Sequence, residues 1–385
     1  MIILIFRKNI TVIDTMLKRF TVENYKNFKN QTKLDFDTVH NYSFNSQFIK
    51  NDLLNKVILL GKNGSGKTNL GLALFDIVLT LTDNVVDPKQ TDQNTFLNGD
   101  SNLDYASFSY EFLNDGHTIE YRYRKKDPRT IIYEELLMDK KLIFRRDNEN
   151  DDYKGLARLG ADKLRMDIKD GQLSVVRYVN ANTVQTSDSP IAFIMDFVSH
   201  MLYFKSDIYG FGFIGYDKSG ESIYDYIINN GLTDEFQRML SEYTKIDVRL
   251  DSVKIPGMPG VLIQKFKNRD MRFDTTASTG TLVFSLFYYW FKHMNNVRFL
   301  YMDEYDAYYH YELSERIVRL VSGMEDFQTV FTTHNVSLLK NELLRPDCCL
   351  LLEDGVIRSF SDSTDRELRQ GHNLEKMYKN GEFDG

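Results

Sequence analysis

The chain has 385 residues, 42% hydrophobic and 27% charged, with a formal net charge of −7. That is the composition of an ordinary globular protein with material for one large core or two medium ones, and the acidic balance argues against indiscriminate nucleic-acid binding while leaving room for a local DNA or RNA contact. No apolar run approaches the roughly 20 residues of a membrane span, and Cys348 and Cys349 sit side by side in an apolar run where neither a disulfide nor a metal site is expected, which fits a reducing, cytoplasmic setting.

Residues 1–15 sit apart from the rest of the chain, because a strand-like alternation starts afresh at Met16. A native start at Met16 is expected, with residues 1–15 a disordered or misassigned extension. Two short strands come next over 17–36, around the turn Tyr25-Lys26-Asn27-Phe28-Lys29.

The apolar run Val57-Ile58-Leu59-Leu60 then leads into Gly61-Lys62-Asn63-Gly64-Ser65-Gly66-Lys67-Thr68, which fits G-x-x-x-x-G-K-[ST]. Strand, loop and a helix over 69–79 form the context in which that pattern is specific: glycines let backbone N–H groups converge on phosphate oxygens, the helix directs its positive end at them, and the lysine adds a mobile cation. Gly61, Asn63, Gly64, Ser65, Gly66, Lys67, Thr68 and Asn69 are therefore candidate nucleotide contacts, with Thr68 placed to ligate Mg2+.

Residues 83–104 are polar and read as a surface loop. Period-2 alternation returns over 105–146, broken at Asn114-Asp115-Gly116 and Asp127-Pro128, and reads as an antiparallel meander. After a charged stretch at 145–152 come the apolar stretch 173–179, an amphipathic helix expected over 190–204, and one or two helices over 222–243. Between these, Tyr209 to Gly215 is glycine-aromatic, a packed loop rather than a base-stacking platform. No heptad persists over 190–254, so a compact helical insertion is expected in place of a coiled-coil arm.

Residues 261–266 resume strand character and 282–293 form an apolar helix. The run 297–302 is a buried strand ending in Asp303-Glu304, followed by a helix over 312–321, a strand over 329–333, and a hairpin of 348–353 with 356–360 about Asp354-Gly355. An acidic pair closing a buried strand is what a phosphate-loop ATPase requires downstream. One carboxylate supports the Mg2+ shell, and the next orients and polarises the attacking water. On that reasoning Asp303 is a metal-shell candidate and Glu304 the catalytic one. Thr332-Thr333-His334-Asn335 closes another buried strand and puts His334 within reach of a γ-phosphate. Thr276-Ala277-Ser278-Thr279-Gly280-Thr281 precedes a helix; its hydroxyls and backbone donors suit an anion, or simply an N-cap.

The order of phosphate loop, small-residue signature, Asp-Glu strand and Thr-Thr-His resembles the ABC-type ATPase heads of the SMC, RecF and OLD group, and 16–28 resembles the opening of those proteins. Asp303 to His310, Thr332 to Asn335 and the tail from Gly371 to Tyr378 are more narrowly similar to bacterial abortive-infection ATPases encoded beside a separate effector, such as the AbiL pair with its RloB-like partner. The resemblance implies an α/β P-loop NTPase of the ABC-head class, with an antiparallel β subdomain and a helical insertion. It divides the chain into an N-terminal ATPase lobe over 16–184, an insertion over 185–260 and a C-terminal lobe over 261–385.

It further implies ATP and Mg2+ as cofactors, His334 as switch histidine, Asp306 as the D-loop aspartate, and Ser278 with Gly280 contacting the γ-phosphate of a second protomer in an ATP-sandwiched homodimer or higher homo-oligomer. Signature residues Ser278 to Thr281 depart from the Ser-Gly-Gly core of transporters. Gln172 and Gln185 are the positional candidates for the family's Q-loop glutamine. Two functions are implied: a defence ATPase that senses phage and controls a toxic partner such as a RloB-like or Toprim nuclease, or a RecF-like DNA-repair or DNA-clamping head. A self-contained OLD-like nuclease is not expected, because the roughly fifty residues after His334 read as hairpin and tail.

Overall fold

The computed structural model describes residues 15–84, 86–147, 149–166, 168, 171–186, 188–205, 213–215, 221–254 and 257–383. The expectations placed on residues 1–14 and on Tyr209 to Gly212 lie outside them.

Two sheets face each other across the helix that leaves the phosphate loop. The first is mixed and seven-stranded, in the spatial order Phe213–Gly215, Met201–Lys205, Phe299–Asp303, Gln328–Thr333, Lys56–Leu60, Cys349–Glu353 and Val356–Ser359. Its five inner strands run parallel, and its two edge strands are antiparallel to their neighbours. Strands covered on both faces read as unbroken apolar runs, and Lys56–Leu60, Phe299–Asp303 and Gln328–Thr333 are buried along their whole length. Because the inner strands are parallel, the residues just after Leu60, Asp303 and Thr333 emerge at one edge of the sheet. In open α/β sheets that carboxyl edge is where ligands bind.

The second sheet is antiparallel and six-stranded, in the order Thr32–Asp35, Met16–Glu23, Ala106–Asn114, His117–Lys125, Ile131–Met138 and Lys141–Arg146. Burial alternates along Ala106–Asn114, as a strand with one face on a core requires. Gln328 ties the two sheets together: its side chain accepts from Leu17 N at 2.6 Å and donates to Leu17 O at 2.9 Å. A three-stranded antiparallel sheet, Leu250–Val253, Val261–Lys265 and Asp270–Arg272, precedes the helix Thr279–His293. This is the expected α/β phosphate-loop fold with an antiparallel β subdomain.

The helix between the sheets starts at Lys67, earlier than the expected 69, and breaks at Phe75 into Lys67–Leu74 and Asp76–Leu81. At the break the Phe75 ring inserts among Tyr203, Phe299 and Tyr301, and the Tyr110 hydroxyl donates to the carbonyls of Ala73 and Leu74 at 3.2 and 3.1 Å. Gly71 is required one turn before Phe75, on the same pair of tyrosine rings. A Cβ there would lie 2.6 Å from the Tyr301 ring and 2.9 Å from that of Tyr203, so only glycine lets the helix settle on this stacked pair.

One local expectation is corrected. The helix expected over 190–204 is Pro190–Ser199, and Met201–Lys205 is instead a strand of the main sheet, parallel to Phe299–Asp303. The apolar stretch at 173–179 becomes the helix Val175–Asn182, capped by Ser174. Its first turn is held by Glu134, which accepts from the backbone N–H groups of Val175 and Val176 at 2.8 and 3.3 Å. The later helices are Ile223–Asn229 and Thr233–Thr244. Among the described residues no helix is long and apolar enough to cross a membrane.

Candidate functional site

The loop from Gly61 to Thr68 closes tightly because its glycines adopt conformations other residues resist. Gly64 and Gly66 have φ of 81° and 109°, the left-handed region. A Cβ on Gly66 would also run into the Asn27 amide. Asn27, from the turn after the first strand, donates to Ser65 O at 3.4 Å and accepts from Asn69 Nδ2 at 2.7 Å, so the opening strand–turn buttresses the loop. Inside the loop, the Lys67 ammonium lies across the carbonyls of Gly61 and Lys62 at 2.7 and 3.2 Å. Burial lowers its pKa, and the carboxylates of Glu304, Asp303 and Asp306 work in the opposite direction.

Asp303 ends its strand wholly buried. Its Oδ2 accepts from Thr68 Oγ1 at 2.8 Å and from the Tyr203 hydroxyl at 3.0 Å, and its Oδ1 accepts from Thr332 Oγ1 at 2.8 Å. Loop, acidic strand and Thr-Thr-His strand therefore meet at one carboxylate. Burial raises the Asp303 pKa, against hydrogen bonds from Thr68 and Thr332 and the nearby Lys205 charge.

Glu304 turns sharply out of the strand, with φ of 44°, a left-handed conformation that costs a non-glycine residue roughly 1–2 kcal/mol. Its backbone N–H donates to Thr332 Oγ1 at 2.8 Å, which holds the turn. The carboxylate stays partly exposed, 3.6 Å from Lys205 Nζ. Asp306 is buried and accepts from Thr333 Oγ1 at 2.8 Å through Oδ2, while its Oδ1 has no hydrogen-bond partner. Burial raises its pKa too. His334 comes directly after Thr333 and is exposed at the same edge.

Ser278 caps the helix Thr279–His293, its hydroxyl accepting from Thr281 N at 3.3 Å. This is the capping alternative realised within one chain, and Ser278 remains exposed. Gly280 abuts the segment after Asp306, since a Cβ there would lie 2.7 Å from the carbonyl of Tyr308. Neither positional glutamine joins the site. Gln185 bonds Thr183 and accepts from Ser189 Oγ at 2.5 Å, and Gln172 lines a cavity of about 380 Å³ with Thr80, Lys125 and Arg177.

The donors present fit a nucleotide phosphate and a divalent cation. Ser65 Oγ is buried beside the loop without a hydrogen-bond partner, the sort of orphan that a phosphate oxygen satisfies. Three carboxylates, Asp303, Glu304 and Asp306, face two ammonium groups, Lys67 and Lys205. Among the described residues no group of three His, Cys, Asp or Glu side chains converges on a metal position. A hard cation at Thr68 and Asp303 would complete its oxygen shell from phosphate and water, as Mg2+ ordinarily does.

Contacts that sequence reasoning missed are Asn27, Tyr203, Lys205 and the hydroxyl of Thr332. Asn27 had a signal, the turn after the opening strand. Tyr203 and Lys205 had none while 201–204 read as helix.

A family model described as "AAA domain, putative AbiEii toxin, Type IV TA system" matches residues 56–340, from the strand before the phosphate loop to beyond His334. The chain belongs to that family of AAA domains. Among solved structures it is similar to the SMC head domain from Thermotoga maritima, at 14% identity over 89% of this chain and 98% of that one, with a TM-score of 0.41. It is likewise similar to the Smc head domain with an extended coiled coil bound to the C-terminal domain of ScpA, derived from Pyrococcus furiosus, at 13% identity over 95% and 98% of the two chains, with a TM-score of 0.43. Overlaps this loose carry no inference about partners or substrates. No curated protein matches the chain.

Proposed function

We propose that this member of the AAA-domain family binds ATP with Mg2+ and hydrolyses it, and that its nucleotide state controls a separate toxic effector. The observation that carries the ATPase half is the 2.8 Å hydrogen bond from Thr68 Oγ1 to Asp303, with Glu304 next in the chain. Thr68 and Asp303 would hold the metal shell, Lys67 would leave the loop carbonyls for the β- and γ-phosphates, and the loop N–H groups with Ser65 would take phosphate oxygens. Bound there, Mg2+ supplies charge neutralisation across the β- and γ-phosphate oxygens. Glu304, turned out of its strand and partly exposed, would orient a water and accept its proton. His334 would meet the γ-phosphate from the neighbouring strand, and Asp306 is held against that strand by Thr333.

Ser278 caps an exposed helix start and Gly280 follows in its first turn, which supports their acting on the nucleotide of a second copy. Mixing Lys67→Ala with Ser278→Arg tests this. Neither variant alone should turn over ATP, and the mixture should recover activity because each heterodimer contains one intact composite site. A mixture as inactive as its parts counts against action in trans.

The family description names a toxin of a toxin–antitoxin system and no partner. The effector half, with a nuclease of the RloB-like or Toprim kind as the partner class, is supported by the resemblance of Asp303 to His310, Thr332 to Asn335 and the tail from Gly371 to abortive-infection ATPases encoded beside a separate effector. Expressing the chain with the product of its neighbouring gene tests that half. Toxicity that changes between wild type and Lys67→Ala supports nucleotide control, and toxicity indifferent to the substitution contradicts it.

A further inference from the structure

The strand Met201–Lys205 brings a second lysine to the carboxyl edge, and the proposed ATPase chemistry does not employ it. It pairs in parallel with Phe299–Asp303 in a register that sets Lys205 opposite Asp303 and Tyr203 opposite Tyr301. Alternation along a strand puts residues 203 and 205 on one face. Tyr203 delivers its hydroxyl to Asp303 Oδ2 at 3.0 Å, and Lys205 brings Nζ to 3.9 Å from the same oxygen and 3.6 Å from Glu304 Oε2. Both separations are ion-pair contacts longer than a hydrogen bond, so the ammonium is attracted to two carboxylates without being locked to either. Its side chain is about a quarter exposed and the Glu304 side chain about a third, whereas Asp303 is sealed.

We propose that Lys205 is a positioning residue for Glu304, whose ammonium balances Asp303 and Glu304 together and couples the orientation of Glu304 to occupancy of Asp303 by a cation. Two groups compete for one carboxylate in this arrangement. A divalent cation held by Thr68 and Asp303 would draw on the same carboxylate that Lys205 faces. With that carboxylate engaged, the ammonium would be left to Glu304, 3.6 Å away, and the orientation of Glu304 would follow the occupancy of Asp303.

The inference rests on the ATPase reading, and the test separates the two. Lys205→Met and Lys205→Arg are compared in the full chain with wild type and Glu304→Gln. Turnover is followed at saturating Mg·ATP. The Mg2+ needed for half-maximal nucleotide retention is measured by equilibrium titration, with each Lys205 substitution also placed in the Glu304→Gln background so that hydrolysis does not interfere. Lys205→Met is expected to lose roughly 10- to 100-fold in turnover, the loss that misplacing a reacting group produces. It should also need less Mg2+ than its parent, because the competitor for Asp303 is gone. Lys205→Arg should recover most of the turnover and the parental Mg2+ requirement.

Slower turnover together with a lower Mg2+ requirement is something a merely structural lysine would not give. Wild-type turnover in Lys205→Met overturns the proposal, as does equal loss in both variants with the Mg2+ requirement unmoved. Should Lys205→Met fail to fold, Lys205→Gln replaces it under the same criteria. If wild type itself neither binds nor hydrolyses ATP, the ATPase reading falls. If wild type is active and Glu304→Gln is not, while Lys205→Met behaves as wild type, only the role of Lys205 falls.

Discussion

The antiparallel sheet and the carboxyl edge of the parallel sheet both bury carboxylates, and they treat them differently. On the antiparallel side Asp76 and Lys125 are each about 1% exposed and meet at 2.8 Å, with Tyr123 donating to the same oxygen at 2.9 Å. Glu134 there takes hydrogen bonds from Tyr121, Ser174 and two backbone N–H groups, beside the Arg146 guanidinium at 3.2 Å. At the parallel edge, Asp306 keeps one oxygen without a hydrogen bond, Ser65 keeps its hydroxyl without one, and Asp303 has only hydroxyl donors with an ammonium at arm's length. A fully matched buried acid fastens two elements. An undermatched one retains electrostatic demand that a ligand can meet, at a cost in stability.

If that contrast holds, the largest stability change in the molecule comes from the matched side. Lys125→Met strands the buried Asp76 carboxylate between the loop helix and the antiparallel sheet, and should destabilise by about 3–5 kcal/mol in urea unfolding. A loss under about 1 kcal/mol would show that the Asp76–Lys125 pair does not fasten the helix to the sheet.

The undermatched side should respond in function first. Lys67→Ala should weaken ATP binding by about 100-fold, or about 2.7 kcal/mol, with a melting temperature in the absence of nucleotide within about 2 °C of wild type. The ammonium's partners there are two loop carbonyls rather than a buried charge.

At Asp306 the expected change is small, and its sign is diagnostic. Burial raises the Asp306 pKa, so the folded state favours the protonated acid. Stability from that group is complete below the unfolded carboxylate pKa of about 3.9 and is lost as pH rises through the higher folded value. Asp306→Asn should match wild type in acid and exceed it at neutral pH, by roughly 1 kcal/mol for one unsatisfied buried oxygen. A difference that shrinks as pH rises would contradict the assignment.

How legible the molecule is from its sequence tracks the same divide between local and assembled features. The phosphate loop, the strand into Asp303-Glu304, the strand into Thr332-Thr333-His334 and the meander from Ala106 to Arg146 can be read because each is a contiguous run with its own period or turn signal. Met201–Lys205 could not be read that way. Its first four residues, Met201 to Phe204, are buried and apolar without interruption, so no period separates a strand from a continuing helix, and no proline or glycine marks the join at His200. With that strand went Tyr203 and Lys205, whose meaning exists only once the parallel register sets them against Tyr301 and Asp303. The search for a distal glutamine failed for a related reason, since spacing along the chain says nothing about which strand borders the acidic pair. Asn27 was visible as a turn residue, but its contact with Ser65 and Asn69 depends on how the antiparallel sheet docks.

The central claim is that the undermatched carboxylates form a hydrolytic nucleotide site with Glu304 as its working acid. The most direct measurement pairs equilibrium titration of Mg·ATP with single-turnover hydrolysis for wild type and Glu304→Gln. The expected result is unchanged affinity, within about threefold, with hydrolysis slowed by about 100-fold or more. Hydrolysis by Glu304→Gln at the wild-type rate, or absence of Mg·ATP binding in both proteins, would contradict it.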